Sequence, residues 1–431
     1  MKSTRHAWFA GVAAAVALLV PATASANEVT KWNTIATNTV LAQPPIASAP
    51  PAAGVFMAMV QGAVYGAVNS IDRGHRPYLV MRRFPMASLD AAVAAAAFRV
   101  LDTLFPGQHA ALQAEYDSSM AAIPDGGLKD AGVETGRAAA DAMLAEGHDG
   151  RQILPCVFGT DPGDWQPLVG PTGALLCDPS PWVAQAVPFL VKSSSQFRTD
   201  GPNALTSAAY ADEFNEVKDL GSLNSSTRTA EQSHVAVFWQ SNAASTWNGV
   251  ARRFAEERFL DITDSALLFA MVDLTAADAA INCWNDKYYW SFWRPITAIR
   301  HADTDGNPAT LVDADWRPLF DPSLDPAIAG VGPALITAPY PDHPSGHLCF
   351  SSSSLHAMQS FFGTDELTFY VTSSRFPGER RYFSRFSDVN TELIEARIWA
   401  GLHFRTADEQ GAKLGQEVER YTRVHYFEPV H

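Results

Sequence analysis

Residues 287–295 read KYYWSFWRP and place a lysine and an arginine within a dense aromatic stretch. Lys287 and Arg294 are seven positions apart, so on a helix they would lie nearly on the same face. The aromatic neighbours imply burial, and buried cations need an anion. A solvated basic stripe, the alternative, does not fit this aromatic content. The stretch therefore predicts a buried helix that carries part of an anion site and is ended or kinked by Pro295.

A second segment, residues 344–347, reads PSGH and is predicted to open another helix. Small residues there let backbone N–H groups approach an oxyanion, and the helix dipole favours negative charge at that end. Ser345 adds a hydroxyl, and His347 can exchange a proton with a bound oxygen. His343 and His347 also have the spacing of a zinc pair, but Pro344 and Gly346 disfavour a helix between them.

A third segment contains Arg397 and His403, six positions apart in a helix predicted at about 391–403. On such a helix the two side chains would point about 120° apart and embrace a ligand from two sides. The alternative is a core histidine beside a surface arginine. Together the three segments supply three cations, a hydroxyl, backbone donors and two imidazoles. This set indicates a site for a tetrahedral oxyanion such as phosphate or vanadate.

These motifs resemble those of the vanadium-dependent haloperoxidases and of their relatives, the type 2 phosphatidic acid phosphatases and class A acid phosphatases. The sequence FWRP at 292–295, Arg300 and the triplet His403-Phe404-Arg405 favour the haloperoxidase branch. Residues 31–75 also resemble bacterial haloperoxidase-like proteins. The resemblance implies a mainly α-helical bundle and vanadate as cofactor.

The resemblance also assigns roles within the site. His403 would bond directly to vanadium, and His347 would contact the apical oxygen and act as acid and base. Lys287 would in addition polarise bound peroxide. The groups implied to hydrogen-bond the equatorial oxygens are Lys287, Arg294, Ser345, the N–H of Gly346, and Arg397.

The implied reaction is oxidation of halide by hydrogen peroxide to a hypohalous-acid equivalent that halogenates a small organic acceptor. The alternative is an acid phosphatase in which His403 forms a phosphohistidine and His347 protonates the leaving group. A non-catalytic oxyanion-binding relative is a third hypothesis, which the two histidines argue against. Ala396 stands where the family usually has serine, and Tyr340 stands at a position linked to halide preference. The halide is therefore left open.

Composition limits the partners and the compartment. The 431 residues are 47% hydrophobic and 18% charged with a net charge of −15, which indicates a globular protein and argues against nucleic acid. Lys2, Arg5, an apolar stretch at 10–20 and Ala24-Ser25-Ala26 predict a signal peptide at 1–26 and a secreted or periplasmic protein without a membrane anchor. Residues 27–431 are then predicted to form one large helical domain, with the oxyanion site within 287–403.

Helical periodicity dominates after an arm at 27–52 that we expect to be extended. Phe56 to Ile71 predict one helix, and Ser88 is expected to cap another that runs to Leu104. Thr406 and Glu409 form a predicted capping box for the last helix. Further helices are predicted at 109–123, 130–146, 206–219, 229–241, 245–260 and 264–293.

Two irregular stretches interrupt the helices. Residues 147–200 are rich in Pro, Gly and Asp and leave room for a subunit contact in a homo-oligomer. Within them Cys156 and Cys177 are placed to form a disulfide, whereas Cys283 and Cys349 either pair or remain buried thiols. Residues 303–307 read DTDGN, for which an ordinary turn is favoured over a calcium loop.

Overall fold

The computed structural model describes residues 27–170, 173–321 and 337–430, so the predicted signal peptide lies outside the described residues. The described part is mainly α-helical, as the sequence predicts. The helices, in chain order, are α1 Glu28–Leu41, α2 Pro45–Ser48, α3 Pro50–Asp72, α4 Leu89–Leu104, α5 His109–Ala122, α6 Gly127–Ala145, α7 Ala208–Leu220, α8 Ala230–Phe238, α9 Ala243–Glu257, α10 Ile262–Trp290, α11 Pro295–Arg300, α12 Gly346–Phe362, α13 Phe386–Trp399 and α14 Arg405–His425.

Short strands and turns of 3₁₀-helix complete the described secondary structure. One antiparallel pair joins β1 Leu168–Val169 to β2 Leu175–Leu176, and another joins β3 Glu366–Thr372 to β4 Arg380–Arg385. The 3₁₀ turns are Pro106–Gln108, Pro181–Gln185 and Ala302–Thr304. These elements lie between helices, and the core is formed mainly by the helical bundle.

The first described residues are helical, so the prediction of an extended arm at 27–52 was wrong. The side chain of Asn27 caps α1 by accepting hydrogen bonds from the N–H groups of Val29 and Thr30. Trp32 and Asn33 are fully buried on this helix. Burial of Trp32 therefore fixes α1 against the bundle, although the run of Ala and Pro after it suggests an extended chain.

Two helices run through the main core. α3 and α10 each have the length and hydropathy of a membrane span, but both windows are entirely buried inside the protein. The two helices approach closely at Gly62, where an added Cβ would lie 3.0 Å from Cδ2 of Leu274. The predicted helix between Phe56 and Ile71 is confirmed, and it is buried on all sides rather than on one face. α10 thereby holds its C-terminal end, which carries Lys287, in a fixed place.

The last helix packs on α12 at two glycines, and this contact sets the position of the second segment. A Cβ on Gly411 would lie 2.7 Å from the carbonyl oxygen of Ser345, and one on Gly415 would lie 2.5 Å from that of Cys349.

Both candidate pairs of cysteines form disulfides, Cys283–Cys349 and Cys156–Cys177. The first of these joins α10 to α12 behind the site.

Several predicted boundaries near the site were wrong. α10 ends at Trp290, where Ser291 adopts a left-handed conformation with φ 45°, and Pro295 begins a new helix instead of ending the old one. α13 ends at Trp399, so His403 lies beyond it and does not share a helix with Arg397. Packing of the second core cluster, which contains Trp293 and Phe404, explains both breaks, since these aromatic side chains must turn inward.

The predicted capping box of the last helix is also absent. Phe404 occupies the N-cap position of α14, and its own side chain makes no capping hydrogen bond. Instead, the carboxylate of Glu213 accepts the N–H of Thr406 at 2.9 Å, a long-range contact that local sequence does not encode. By contrast, the turn at 303–307 was predicted correctly: Asp305 accepts the N–H of Asn307, and Gly306 has φ 72°.

Candidate functional site

Lys287 lies fully buried near the end of α10. Its ammonium donates to the carbonyl oxygens of Pro341 at 3.0 Å, Asp342 at 2.9 Å and Pro344. Burial, together with the nearby Arg294, holds the pKa of Lys287 well below its ordinary value. Lys287 therefore ties α10 to the loop that precedes Ser345, and contact with an oxyanion would require it to exchange one of these three bonds.

Arg294 is the N-cap residue of α11 and is also buried. Its Nε donates to the carbonyl of Tyr340 at 2.8 Å and its Nη1 to that of Leu402 at 2.9 Å. Nη1 also lies 3.1 Å from Nε2 of His403. Within the described part of the chain, Nη2 is buried without a hydrogen-bond partner. The guanidinium thus bridges the first and third segments and keeps a donor available.

The second segment forms the N-terminus of α12, as predicted. Ser345 is the N-cap residue, and its hydroxyl is buried without a hydrogen-bond partner among the described residues. A Cβ on Gly346 would lie 2.6 Å from Cζ3 of Trp284. The missing side chain lets the ring of Trp284 lie directly over the backbone at this helix end, where N–H groups and the dipole favour an anion.

His347 and Arg397 both line the same cavity. Burial and then the charge of Arg397 hold the pKa of His347 well below its ordinary value, so its ring is neutral near pH 7. Nη1 of Arg397 donates to Oε1 of Gln240 at 3.2 Å, while its Nε is buried with no hydrogen-bond partner in the described part of the chain. Burial lowers the pKa of Arg397 to about 10, which leaves it charged.

His403 lies in the turn between α13 and α14 and is almost fully buried. Its Nδ1 is 2.8 Å from Oδ1 of Asp342, and the same oxygen is 3.7 Å from Nη1 of Arg294. Burial raises the pKa of Asp342 to about 7, although Arg294 and Lys287 oppose this shift. A proton on Nδ1 facing this carboxylate would leave the lone pair of Nε2 free to bind a metal.

Residues 267–429 match the family model described as the VCPO second helical-bundle domain, and this range contains every predicted site residue. The chain is 28% identical over 206 residues to the vanadium chloroperoxidase of Curvularia inaequalis. Residues 267–429 thus resemble the second helical-bundle domain of the vanadium-dependent haloperoxidases. The match spans 42% of this chain but only 32% of that relative.

Solved structures of bacterial haloperoxidases share the fold. A vanadium-dependent iodoperoxidase superposes with a TM-score of 0.75 at 22% identity, covering 93% of this chain and 97% of that one. The holo form of a vanadium-dependent chloroperoxidase gives 0.63 at 18% identity, covering 90% and 96%. The helical-bundle fold of the haloperoxidase family is therefore shared by most of the chain.

The site has the donors that the cofactor of a haloperoxidase requires. Each of the three segments contributes one buried donor atom that lacks a hydrogen-bond partner among the described residues; these are Nη2 of Arg294, Oγ of Ser345 and Nε of Arg397. Natural proteins rarely leave buried polar atoms unsatisfied, so such a cluster indicates a site for a ligand rich in acceptor oxygens. The residues present therefore fit a tetrahedral oxyanion such as vanadate.

Two carboxylates of the site were missed from the sequence. Asp342 directly precedes His343, and Asp408 lies in the first turn of α14 with both oxygens buried. Burial raises the pKa of Asp408 well above its ordinary value, while Ser345 and then Arg397 oppose the shift. Their proximity in sequence to His347 and His403 is the signal that could have found them. Acidic residues are not expected beside an anion site, however, unless their negative charge is weighed against that of the three cations.

His343 does not reach the cavity. Its Nε2 lies 2.9 Å from the hydroxyl of Thr199, which in turn donates to Asp286, and its ring is buried. Burial lowers the pKa of His343 to about 3, so the ring is neutral. The hydrogen bond to Thr199 instead gives His343 a buried structural contact in the loop before Ser345.

Proposed function

We propose that this protein is a vanadate-dependent haloperoxidase, which uses hydrogen peroxide to oxidise halide to a hypohalous-acid equivalent that halogenates a small organic acceptor. The observation that carries the proposal is a site with two neutral histidines and three buried donor atoms that have no hydrogen-bond partner among the described residues. The family match over residues 267–429 supports it. The structural relatives named as iodoperoxidase and chloroperoxidase support the same class of reaction but leave the halide open.

The residues that would hold vanadate come from all three segments. His403 would supply the bond to vanadium through Nε2, with Nδ1 turned to Asp342. Bound vanadate would supply a Lewis acid that makes peroxide electrophilic toward halide. The groups that would hydrogen-bond its oxygens are Lys287, Arg294, Ser345, the N–H of Gly346, and Arg397.

His347 would act as the acid and base of the reaction. Its neutral ring lies on the wall of the cavity and can take up a proton from hydrogen peroxide, while burial and then the charge of Arg397 keep its pKa low. Returning that proton to a departing oxygen would complete its role. Lys287 would hold the loop of Pro341 and Asp342 in place. By exchanging one of these carbonyl partners for an oxygen of the ligand, Lys287 would also polarise the ligand.

We further propose that residues 1–26 direct export, that the mature chain is a single helical domain, and that it works as a secreted or periplasmic protein. The sequence pattern at the N-terminus and the two disulfides support an oxidising compartment. Homo-oligomerisation through the irregular stretch at 147–200 is part of the same proposal.

Two reactions measured side by side test the function. Purified protein stripped of metal is assayed for bromination of phenol red with bromide and peroxide, with and without orthovanadate, and for phosphate-ester hydrolysis in the same buffer. Bromination that depends on vanadate is the expected result. Hydrolysis of the ester that vanadate inhibits, without bromination, would instead assign the protein to the phosphatases that share this kind of pocket.

A further inference from the structure

Part of the irregular stretch at 147–200 is fastened along α10. The carboxylate of Asp278 accepts the three consecutive backbone N–H groups of residues 189–191 at distances of 2.7–2.8 Å. The disulfide Cys156–Cys177 closes the earlier part of the stretch. The chain that follows this disulfide is therefore held in place beside the helix that carries the first segment of the site.

Asp178, the residue after this disulfide, is bonded to two aromatic side chains of α10. Its Oδ2 accepts the indole N–H of Trp284 and the hydroxyl of Tyr288, both at 2.8 Å. Trp284 and Tyr288 are four positions apart, so they lie on the same face of the helix. Oδ1 of Asp178 accepts the N–H of Ser180 at 2.8 Å, which fixes the carboxylate from its own side of the contact.

The ring of Trp284 connects Asp178 to the oxyanion site. The ring is buried, and a Cβ on Gly346 would lie 2.6 Å from its Cζ3, so the start of α12 packs directly on it. Trp284, Gly346 and His347 line the same cavity, and so does Pro179, the residue after Asp178. The position of this indole therefore determines where the backbone at the start of α12 can lie.

The bond to Asp178 gives the indole one orientation. Without it, the N–H of Trp284 would be a buried donor that has lost its acceptor, which is costly. The cavity beside the ring measures about 500 Å³ and gives the indole space to turn. A turned indole would no longer support the backbone of Gly346, and sites for oxyanions depend on donors that are fixed in advance.

We infer that Asp178 is a positioning residue of the oxyanion site, which holds the ring of Trp284 against Gly346 and so fixes the donors at the start of α12. The inference rests on the proposed function, in which these donors bind vanadate. It also gives the irregular stretch a role within one subunit.

Vanadate affinity tests this role without turnover. In calorimetric titrations of the vanadate-free protein, we expect Asp178→Ala to bind vanadate about 10–100-fold more weakly, the usual effect of removing a supporting partner of a metal site. Asp178→Asn keeps an acceptor oxygen for both aromatic donors and should restore most of the affinity. Asp149→Ala removes a carboxylate of the same stretch that pairs with Arg151 at 2.7 Å, and this control should bind vanadate like the wild type.

Two further variants test whether Asp178 acts through the indole. Trp284→Phe removes the indole N–H and should weaken vanadate binding, whereas Tyr288→Phe leaves the bond to Trp284 intact and should not. Adding Asp178→Ala to Trp284→Phe should change the affinity little, because the bond is already absent. If Asp178→Ala does not fold, as judged by circular dichroism, the comparison of Trp284→Phe with Tyr288→Phe still decides the question.

Three results would overturn the inference. They are wild-type affinity in Asp178→Ala, equal losses in Trp284→Phe and Tyr288→Phe, and equal losses in Asp178→Ala and Asp178→Asn. The last would mean that Asp178 acts by its charge, which opposes the lowering of the pKa of Lys287 by burial and Arg294.

Triiodide formation from iodide and peroxide separates this inference from the proposed function. A wild-type protein that binds vanadate but makes no triiodide would overturn the proposed function, while the titrations would still decide the role of Asp178. A wild-type protein that does not bind vanadate would overturn both.

Discussion

The ring of Trp284 lies over the backbone of Gly346 so closely that a Cβ on the glycine would be 2.6 Å from Cζ3. Trp284 has little freedom to move, because its indole N–H is bonded to Asp178 and its ring packs against Tyr340. The end of α10 and the start of α12 therefore fit each other closely in shape. Glycine is required at this helix start because the indole occupies the space of a side chain.

This contact predicts that Gly346→Ala destabilises the protein by about 1–3 kcal/mol, the usual cost of overpacking. Trp284→Leu removes the obstructing ring and should make the same alanine nearly harmless. Urea unfolding of the two single variants and the double variant gives the coupling energy. Strictly additive effects would show that the indole does not impose the glycine.

Asp342 is predicted to position the imidazole of His403. In Asp342→Leu no acceptor faces Nδ1, and we expect vanadate to bind about 10–100-fold more weakly, as for other lost partners of metal-bound histidines. Asp342→Asn removes the same charge but keeps an acceptor oxygen, so it should retain most of the affinity. Titration with vanadate, monitored by calorimetry, compares the affinities of the two variants. If both variants lose vanadate affinity equally, the effect comes from the lost charge of Asp342 and not from the orientation of His403.

The two histidines are predicted to fail differently. His403→Ala should abolish both vanadate binding and turnover, because it would remove the proposed bond to vanadium. His347→Ala should still bind vanadate but slow bromination by roughly 10²–10⁴-fold, the usual range for a lost general acid or base. Vanadate calorimetry beside bromination rates tests both variants. Full bromination activity in His403→Ala would rule out the assigned roles.

The amino-acid sequence predicts which residues form the candidate site better than it predicts how they are arranged. Spacing and residue type predict Lys287, Ser345 and His347 as candidate site residues, and the structure places them near Arg294 and Arg397. The helix boundaries, however, depend on Trp293 and Phe404 turning into a second core, which no local pattern encodes. Prediction from periodicity therefore placed His403 on a helix that ends at Trp399.

Long-range polar contacts were equally out of reach of the sequence. Lys287 was expected to face an oxyanion, yet its ammonium donates to carbonyls of a loop more than 50 positions away. The cap of the last helix involves Glu213, almost 200 positions from Thr406. Such partners are chosen by the packing of the whole bundle, so residue spacing alone carries no information about them.

Asp273 on α10 predicts a pH dependence of stability that is independent of the site. It is buried, Oδ1 accepts from Nδ2 of Asn248 at 2.7 Å, and Oδ2 has no hydrogen-bond partner in the described part of the chain. Burial raises the pKa of Asp273 to about 7, above the value of about 3.9 expected in the unfolded chain. Its stabilising contribution is thus fully present below about pH 4 and is lost as the pH rises to 7.

Asp273→Asn stays neutral at every pH and should escape this loss. Its free energy of unfolding, relative to the wild type, should therefore increase between pH 4 and 7, by at most about 1.4 kcal/mol per pH unit. The unpaired amide of the new asparagine adds a cost that does not depend on pH, so only the slope is diagnostic. Urea unfolding of both vanadate-free proteins across this range measures it. Asp141→Asn, on an exposed carboxylate paired with Arg99, is the control and should show no such slope. A difference between Asp273→Asn and the wild type that stays constant with pH would mean that Asp273 is ionised throughout this range in the folded protein.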